Sequence, residues 1–264
     1  MTRVLAPLKL EKSPLVLTLA QVRFSPVLQM KEYLPRIQEV LRKDGFPNFR
    51  ENVVQELLFG QSIKTERRER WLFSNKGQTE TVVLTRDFVV LECSRYEVFD
   101  KFVERFRSVL DLIATEVETE LSNRLGLRYV NLIRPEGEES VFDYLKPGLT
   151  GLPAAELGAD SLLYRFESVA KTSEGQLALR VLQTEDGTFL PPGLDQSDLA
   201  FDVEVHDGDL VTTLDIDHFS AEERDFDPSA LLEEFWKLHE YTDRAFRAAV
   251  TEHAMRQWEA RERT

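Results

Sequence analysis

The sequence is poor in the side chains that many enzymes use for chemistry. It has one cysteine, Cys93, and four histidines among 264 residues. A lone thiol cannot form an internal disulfide, and secreted proteins of this size often contain several, so the cysteine content favours a reducing compartment. Cys93 ends the apolar run Val-Val-Leu-Glu-Cys, which favours a small buried side chain in a strand over a nucleophile or redox sensor.

Several kinds of segment are missing as well. No apolar run approaches the roughly 18 to 20 residues that a helix needs to cross a bilayer. The first residues carry Arg3, Lys9 and Lys12 and lack the continuous apolar stretch of a signal peptide. Glycine-rich phosphate loops, nucleophile elbows, HExxH and EF-hand loops are absent from the sequence. We therefore expect a cytoplasmic protein without a membrane segment, and the motifs lean away from an enzyme.

Positive charge is also in short supply. Lysine and arginine number 33 against 47 aspartates and glutamates, which gives a formal net charge of −14. Such a surface repels phosphate backbones and disfavours nonspecific nucleic-acid binding. It suits a basic protein partner or simply solubility, and it leaves open a protein that mimics DNA.

The apolar patterns that remain predict alternating groups of strands and helices. Period-two or continuous apolar runs predict strands, whereas the stripe that begins at Phe99 and the stripe after Asp227-Pro228 predict long helices. The predicted strands are 15–24, 53–61, 68–74, 80–85, 88–93, 127–133, 162–170, 176–184, 200–206 and 210–217. The predicted helices are 30–42, 99–121, 140–145 and 229–259.

This order of elements indicates an internal repeat. Each copy would contain a strand, a short helix, three or four antiparallel strands and a long helix. We expect an α+β fold of two pseudo-duplicated units, residues 1–125 and 126–264, in one compact body. Mainly antiparallel sheets would pack against two long helices, in a TBP-like or helix-grip-like architecture. Two unrelated halves that share an order by chance are the alternative.

Asp215 and Asp217 are the candidate metal ligands. They alternate with Leu214 and Ile216 in a predicted strand, so both carboxylates lie on one face, about 7 Å apart. Such a pair suits Mg²⁺ or Mn²⁺, and it equally suits the solvated face of an antiparallel strand. No other cofactor is indicated.

A second candidate site begins with Arg128, Tyr129 and Asn131, which lie in an otherwise apolar strand after Gly126. Alternation puts Tyr129 and Asn131 on one face and Arg128 on the other. A buried Asn must be hydrogen-bonded, so these residues form either a structural cross-link or a ligand contact. His239, on the apolar stripe of the last helix, is the fourth candidate and is also typical of a hydrogen-bonded packing residue.

Several runs together resemble a sporadically distributed family of bacterial and archaeal proteins of similar length. They are SPLVLTLAQVRF, the Trp71-Leu72-Phe73 strand, Tyr96 with Phe99 and Phe102, LRYVNLI, LDIDHF, LHEYTDRAF and Trp258. The likeness covers about residues 13–258, but Leu17, Thr18 and Gln21 stand where the family pattern has an acidic residue. The resemblance implies no particular activity. Its sporadic distribution implies mobile genetic cargo, such as toxin–antitoxin or phage-defence modules.

The sequence thus leaves two hypotheses for function. The first is a non-enzymatic binding protein that recognises a small ligand or a protein partner, for example an antitoxin-like or defence-associated partner of a basic protein. The second is a metal-dependent hydrolase or nuclease that uses Asp215 and Asp217.

Overall fold

The computed structural model describes residues 8–59, 63–159, 163–192, 194 and 198–262. The strands are β1 Leu8–Leu10, β2 Leu15–Phe24, β3 Asn48–Phe59, β4 Ile63–Ser74, β5 Glu80–Leu84, β6 Phe88–Cys93, β7 Leu121–Ile133, β8 Tyr164–Lys171, β9 Gln176–Thr184, β10 Val211–Ser220, β11 Arg224–Asp225 and β12 Ala260–Glu262. The helices are α1 Met30–Lys43, α2 Phe99–Val117, α3 Val141–Tyr144, α4 Pro228–Ala249 and α5 Glu252–Gln257. The predicted combination of helices with a mainly antiparallel sheet is confirmed.

Ten of these strands form one antiparallel sheet. Nine follow the order β3-β4-β5-β6-β2-β7-β10-β9-β8, and β11 adds to β7. β2 and β7 pair at the centre from Leu15↔Asn131 to Phe24↔Ser122, so the sheet is continuous between the N-terminal and C-terminal elements. The predicted boundary between residues 125 and 126 therefore falls inside β7. β1 and β12 form a separate two-stranded ribbon.

The long helices pack on one face of the sheet. The apolar stripe of α2 packs beside α4, and Phe106 meets Phe235 edge to face with ring centroids 5.3 Å apart. Asp227 caps α4 by accepting a hydrogen bond from the Ser229 amide at 2.8 Å. No helix in the described part of the chain is long and apolar enough to cross a membrane.

The last predicted helix is wrong in its length. α4 ends at Ala249, Val250 is extended, and a shorter helix, α5, follows. Thr251 caps α5, because its side-chain oxygen accepts from the Ala254 amide at 3.1 Å. Thr251 also donates its hydroxyl proton to the carbonyl of Asp143, so the break brings α5 against the segment of α3.

The predicted strand at 200–206 is also wrong. This segment is an extended loop on the sheet face opposite the helices, where Phe201, Val203 and Val205 pack against a cluster that includes Leu19 and Val130. It cannot pair beside β10, because β7 and β9 already occupy both edges of that strand. Its alternating apolar residues therefore cover the sheet instead of extending it.

We predict that Phe106→Ala lowers the free energy of unfolding by about 3–5 kcal/mol, because it opens a cavity where α2 meets α4. Phe106 is fully buried, whereas Phe142 on α3 is 38% exposed. The matched variant Phe142→Ala should lower stability by only about 0.5 kcal/mol. Urea denaturation measures both values, and equal losses would contradict the packing described.

Candidate functional site

β7 presents its side chains alternately to the two faces of the sheet. Tyr129 belongs to the core beneath the helices, and Asn131 is buried on the same face. Arg128 projects from the opposite face, where it meets Asp215. The four candidate ligand residues therefore divide: Tyr129, Asn131 and His239 come together, and Arg128 belongs to a separate cluster.

The first group lines a cavity of about 110 Å³ between the sheet, α4, the segment before α2 and the β1 ribbon. We call it the Tyr129–His239 cavity. Its floor is formed by β7 and β10, and its mouth is bordered by the exposed side chains of Lys9, Ser13 and Glu97. Its remaining lining residues are Leu8, Leu10, Leu15, Tyr96, Ile216, Thr242, Asp243 and Phe246. The cavity thus combines apolar walls with several convergent polar groups.

His239 is held by two neighbours. Its Nδ1 lies 3.0 Å from the hydroxyl of Tyr129, and its ring stacks on Phe99 with centroids 3.9 Å apart. Burial lowers the pKa of His239 to about 4. The imidazole is therefore neutral at ordinary pH and acts as a hydrogen-bonding group, not as a cation.

The tyrosines of the cavity are also held neutral. Tyr96 and Tyr129 meet edge to face with centroids 5.8 Å apart. Burial raises the pKa of both phenols above their ordinary value, and the nearby carboxylate of Asp243 adds to the rise. Beside them, the Asn131 amide is fixed by donating from Nδ2 to the carbonyl of Leu214 at 3.2 Å. These groups can exchange hydrogen bonds with a ligand without changing charge.

Asp243 is the one carboxylate on the α4 side of the cavity. Burial raises its pKa, while the Arg247 guanidinium, whose Nε donates to its Oδ2 at 3.0 Å, opposes the rise. Asp243 was not among the site residues predicted from the sequence. Its signal was available, because Asp243 follows His239 by four positions and so lies on the same helical face.

The residues that line the cavity include the hydroxyl groups of Ser13 and Thr242 but no cysteine. Cys93 lies buried in β6, as expected from the sequence, and burial raises its pKa to about 12. The thiol is therefore protonated and inert at ordinary pH.

Asp215 takes part in a buried ion-pair cluster on the opposite face. Arg128 donates two parallel hydrogen bonds to the carboxylate of Asp215, from Nε to Oδ1 and from Nη2 to Oδ2, both 2.7 Å long. Arg180 adds a third from Nη1 to Oδ2 at 3.1 Å and donates from Nε to Glu167 at 2.6 Å. The side chain of Asp215 is only 3% exposed.

Asp217 lies on the same face, as the alternation predicts, with its Oδ2 3.9 Å from Nη1 of Arg180. Burial raises its pKa, and Arg128 opposes this. His218 faces the helices instead, where its Nδ1 lies 3.2 Å from the carbonyl of Leu238. Within the described residues, no group of three or more His, Cys, Asp or Glu side chains is placed to hold a metal ion. Metal binding at Asp215 and Asp217 stays a prediction, in competition with two arginines.

No protein-family model matches the chain, and no curated protein does either. The resemblance drawn from the sequence stays a prediction.

We predict that protonation of His239 costs stability in a defined pH window. Its pKa is about 4 in the fold against an ordinary 6.5, so the unfolded chain takes up the proton first as the pH falls. The free energy of unfolding should therefore fall between about pH 6.5 and pH 4, by up to roughly 3 kcal/mol from this group.

Chemical denaturation of wild type and His239→Gln at a series of pH values isolates this contribution. The difference between the two proteins should change across the window and level off below it. A constant difference would contradict a neutral His239.

We predict that Asp215→Ala lowers the free energy of unfolding by about 3–5 kcal/mol, because it leaves Arg128 partly buried without its partner. Glu167→Ala, which removes the 48%-exposed partner of Arg180, should lower it by less than about 1 kcal/mol. Neither Mg²⁺ nor Mn²⁺ should raise the melting temperature of the wild type. A metal-dependent rise that disappears in Asp215→Ala would contradict the ion-pair role and favour the metal hypothesis.

Proposed function

We propose that this protein is a binding protein that takes a small organic ligand into the Tyr129–His239 cavity. The observation that carries the proposal is the convergence of four polar groups on one cavity that has apolar side chains in its walls; the groups belong to Tyr129, Asn131, His239 and Asp243. A cavity with apolar walls and a few convergent polar groups is the usual form of a small-molecule site. Burial moves the pKa values of Tyr129 and His239 away from neutral pH, which supports binding over acid–base catalysis.

The size and polarity of the cavity favour a ring-sized ligand with a hydrogen-bond donor. Its volume of about 110 Å³ is somewhat below that of apolar cavities of about 150 Å³ that take up benzene. Asp243 supplies a carboxylate acceptor, which favours an amine or hydroxyl on the ligand. The mouth beside Lys9 and Glu97 leaves room for a polar tail.

The order of elements supports the pseudo-duplicated architecture as part of this proposal. Outward from the centre, β2-β6-β5-β4-β3 on one side corresponds to β7-β10-β9-β8 on the other. In chain order, each of the two units ends with a long helix, α2 in the first and α4 in the second. On this view the cavity lies at the seam of two repeated units, and the TBP-like or helix-grip-like comparison refers to their shared helix-covered sheet.

A protein partner stays a prediction that rests on the net charge of −14, the scarcity of histidine and cysteine and the absence of catalytic motifs from the sequence. The antitoxin-like and defence-associated roles rest also on the family resemblance, and the cytoplasmic location rests on the single cysteine and the missing signal-peptide pattern; all of these stay predictions. Metal-dependent hydrolysis rests on Asp215 and Asp217, whose present contacts are with arginines.

We predict that benzylamine and phenol, as ring-sized probes with a donor group, bind to the cavity and shift the NMR signals of its lining residues. Ser13→Trp should abolish these shifts, because the indole would fill the mouth from an exposed position. Lys76→Trp, at an exposed turn, is the matched control and should bind like wild type. Asp243→Asn should weaken benzylamine more than phenol.

Equal binding of both probes to wild type and Ser13→Trp would contradict the proposed site. Shifts confined to residues outside the cavity would do the same.

A further inference from the structure

A second cavity, of about 260 Å³, lies between the β8 edge of the sheet and the segment of α3. Three polar side chains contribute to its lining from neighbouring strands: Tyr164 of β8, Gln183 of β9 and Thr212 of β10. We call it the Gln183 cavity. It shares no lining residue with the Tyr129–His239 cavity, so the two are separate sites.

Strand register places the three polar side chains in one row. Gln183 lies directly opposite Tyr164 on one side and Thr212 on the other. Thr212 in turn lies opposite Ile133, which belongs to the apolar core beneath the helices. Residues directly opposite each other on neighbouring strands point to the same face of a sheet. A polar row therefore interrupts the apolar, helix-covered face where the cavity lies.

Two atoms of this row are buried without a hydrogen-bond partner among the residues that the structure describes. They are the hydroxyl oxygen of Tyr164 and Oε1 of Gln183. Gln183 is only 6% exposed, so bulk water does not compensate for the missing partner. A buried polar group without a partner costs free energy, and in a native protein it indicates a partner that is not part of the chain.

The two groups are uncharged. Burial raises the pKa of Tyr164 to about 12, so the phenol keeps its proton at ordinary pH. The amide of Gln183 has no charge at any ordinary pH. Both atoms are enclosed by their neighbours, but the terminal torsion of a glutamine amide is broad, so Oε1 can turn towards a ligand at little cost.

The charge in the cavity wall disfavours an anionic ligand. Glu139 is the one charged side chain that lines it within the described part of the chain. Its carboxylate accepts hydrogen bonds from the Tyr144 hydroxyl at 2.5 Å and from Nε2 of Gln257 at 3.1 Å. The bond from Tyr144 lowers the pKa of Glu139, so the group is ionised at neutral pH.

The rim of the cavity is apolar. Phe142, Leu152 and Leu210 line it, and they are 38%, 60% and 51% exposed. Single exposed leucines are ordinary, but three large apolar side chains around one opening form a patch of the kind that borders ligand-binding grooves. A ligand with an apolar body would cover these side chains.

We propose that the Gln183 cavity binds a small apolar molecule that carries a neutral carboxamide group, held by Gln183 and Tyr164. An amide N–H can donate to Oε1 of Gln183, and the amide carbonyl can accept from the Tyr164 hydroxyl. A carboxylate has no donor for Gln183 and is repelled by Glu139. The cavity is larger than those of about 150 Å³ that take up benzene, so it has room for a ring with an amide attached.

The test is an NMR titration of the whole chain with benzamide and, in parallel, with benzoate. Benzamide should bind in the millimolar range or tighter and shift the signals of Tyr164, Gln183 and Thr212. Benzoate, which has nearly the same shape, should bind at least tenfold more weakly. Gln183→Leu and Tyr164→Phe should each weaken benzamide by about fivefold or more, because each removes one hydrogen-bonding group.

The control substitution lies on the same strand. Gln176 is exposed at the other end of β9, seven positions from Gln183 and so about 23 Å away. Gln176→Leu should bind benzamide like wild type. Without ligand, Gln183→Leu and Tyr164→Phe should unfold at the same urea concentration as wild type or a higher one, because neither loses a hydrogen bond within the described chain.

Several outcomes would overturn the proposal. They are no binding of benzamide, equal binding of benzamide and benzoate, and unchanged binding in both Gln183→Leu and Tyr164→Phe. A lower urea midpoint in both variants would show that the two groups have partners within the chain. Ser13→Trp, which closes the Tyr129–His239 cavity, should keep benzamide binding, so the two sites can fail separately. Loss of binding in Ser13→Trp would place the probe in the other cavity and contradict the assignment.

Discussion

The pairing of β7 with β2 on one side and β10 on the other is the constraint on which the rest of the structure depends. These pairings fix the register of β7 over nearly its whole length. Because side chains alternate along a strand, a fixed register sends Tyr129 and Asn131 beneath the helices and Arg128 to the opposite face. A shift by one residue would bury the arginine in an apolar core and expose the tyrosine.

The two faces of the sheet differ in how they accommodate ionisable side chains. Under the helices, burial keeps His239 and the tyrosines neutral, and their hydrogen bonds are satisfied within a small group of rings. On the other face, charge is retained and Asp215 is matched by two arginines.

Patterns of apolar residues were sufficient to predict much of the fold. β2, β6 and β9 occupy the predicted residues, and the stripe of α2 packs as expected. The break after Ala249 could not be predicted, because it depends on the capping by Thr251 and its contact with Asp143. Nor could the loop at 200–206, because its alternation is that of a strand and only the occupied edges of β10 exclude it from the sheet.

The candidate sites were likewise predictable in part: the face on which each residue lies could be predicted, but its partners could not. Alternation alone separated Arg128 from Tyr129 and Asn131 and put Asp215 beside Asp217. The partners of these residues lie far away in sequence: Arg180 is 35 residues from Asp215, and Tyr129 is 110 from His239. Such contacts depend on strand order and helix docking, for which local sequence carries little signal. Asp243, by contrast, could have been found from helical spacing, because it follows His239 by four positions.

The central claim is that the helix-covered face of β7 holds a ligand-binding cavity, and a crystal structure of the protein grown with benzylamine tests it most directly. The account predicts density for the probe inside the Tyr129–His239 cavity, with its amine against Asp243 and its ring between Ile216 and Phe246. A cavity closed by its own side chains, or a probe bound only elsewhere, would contradict it.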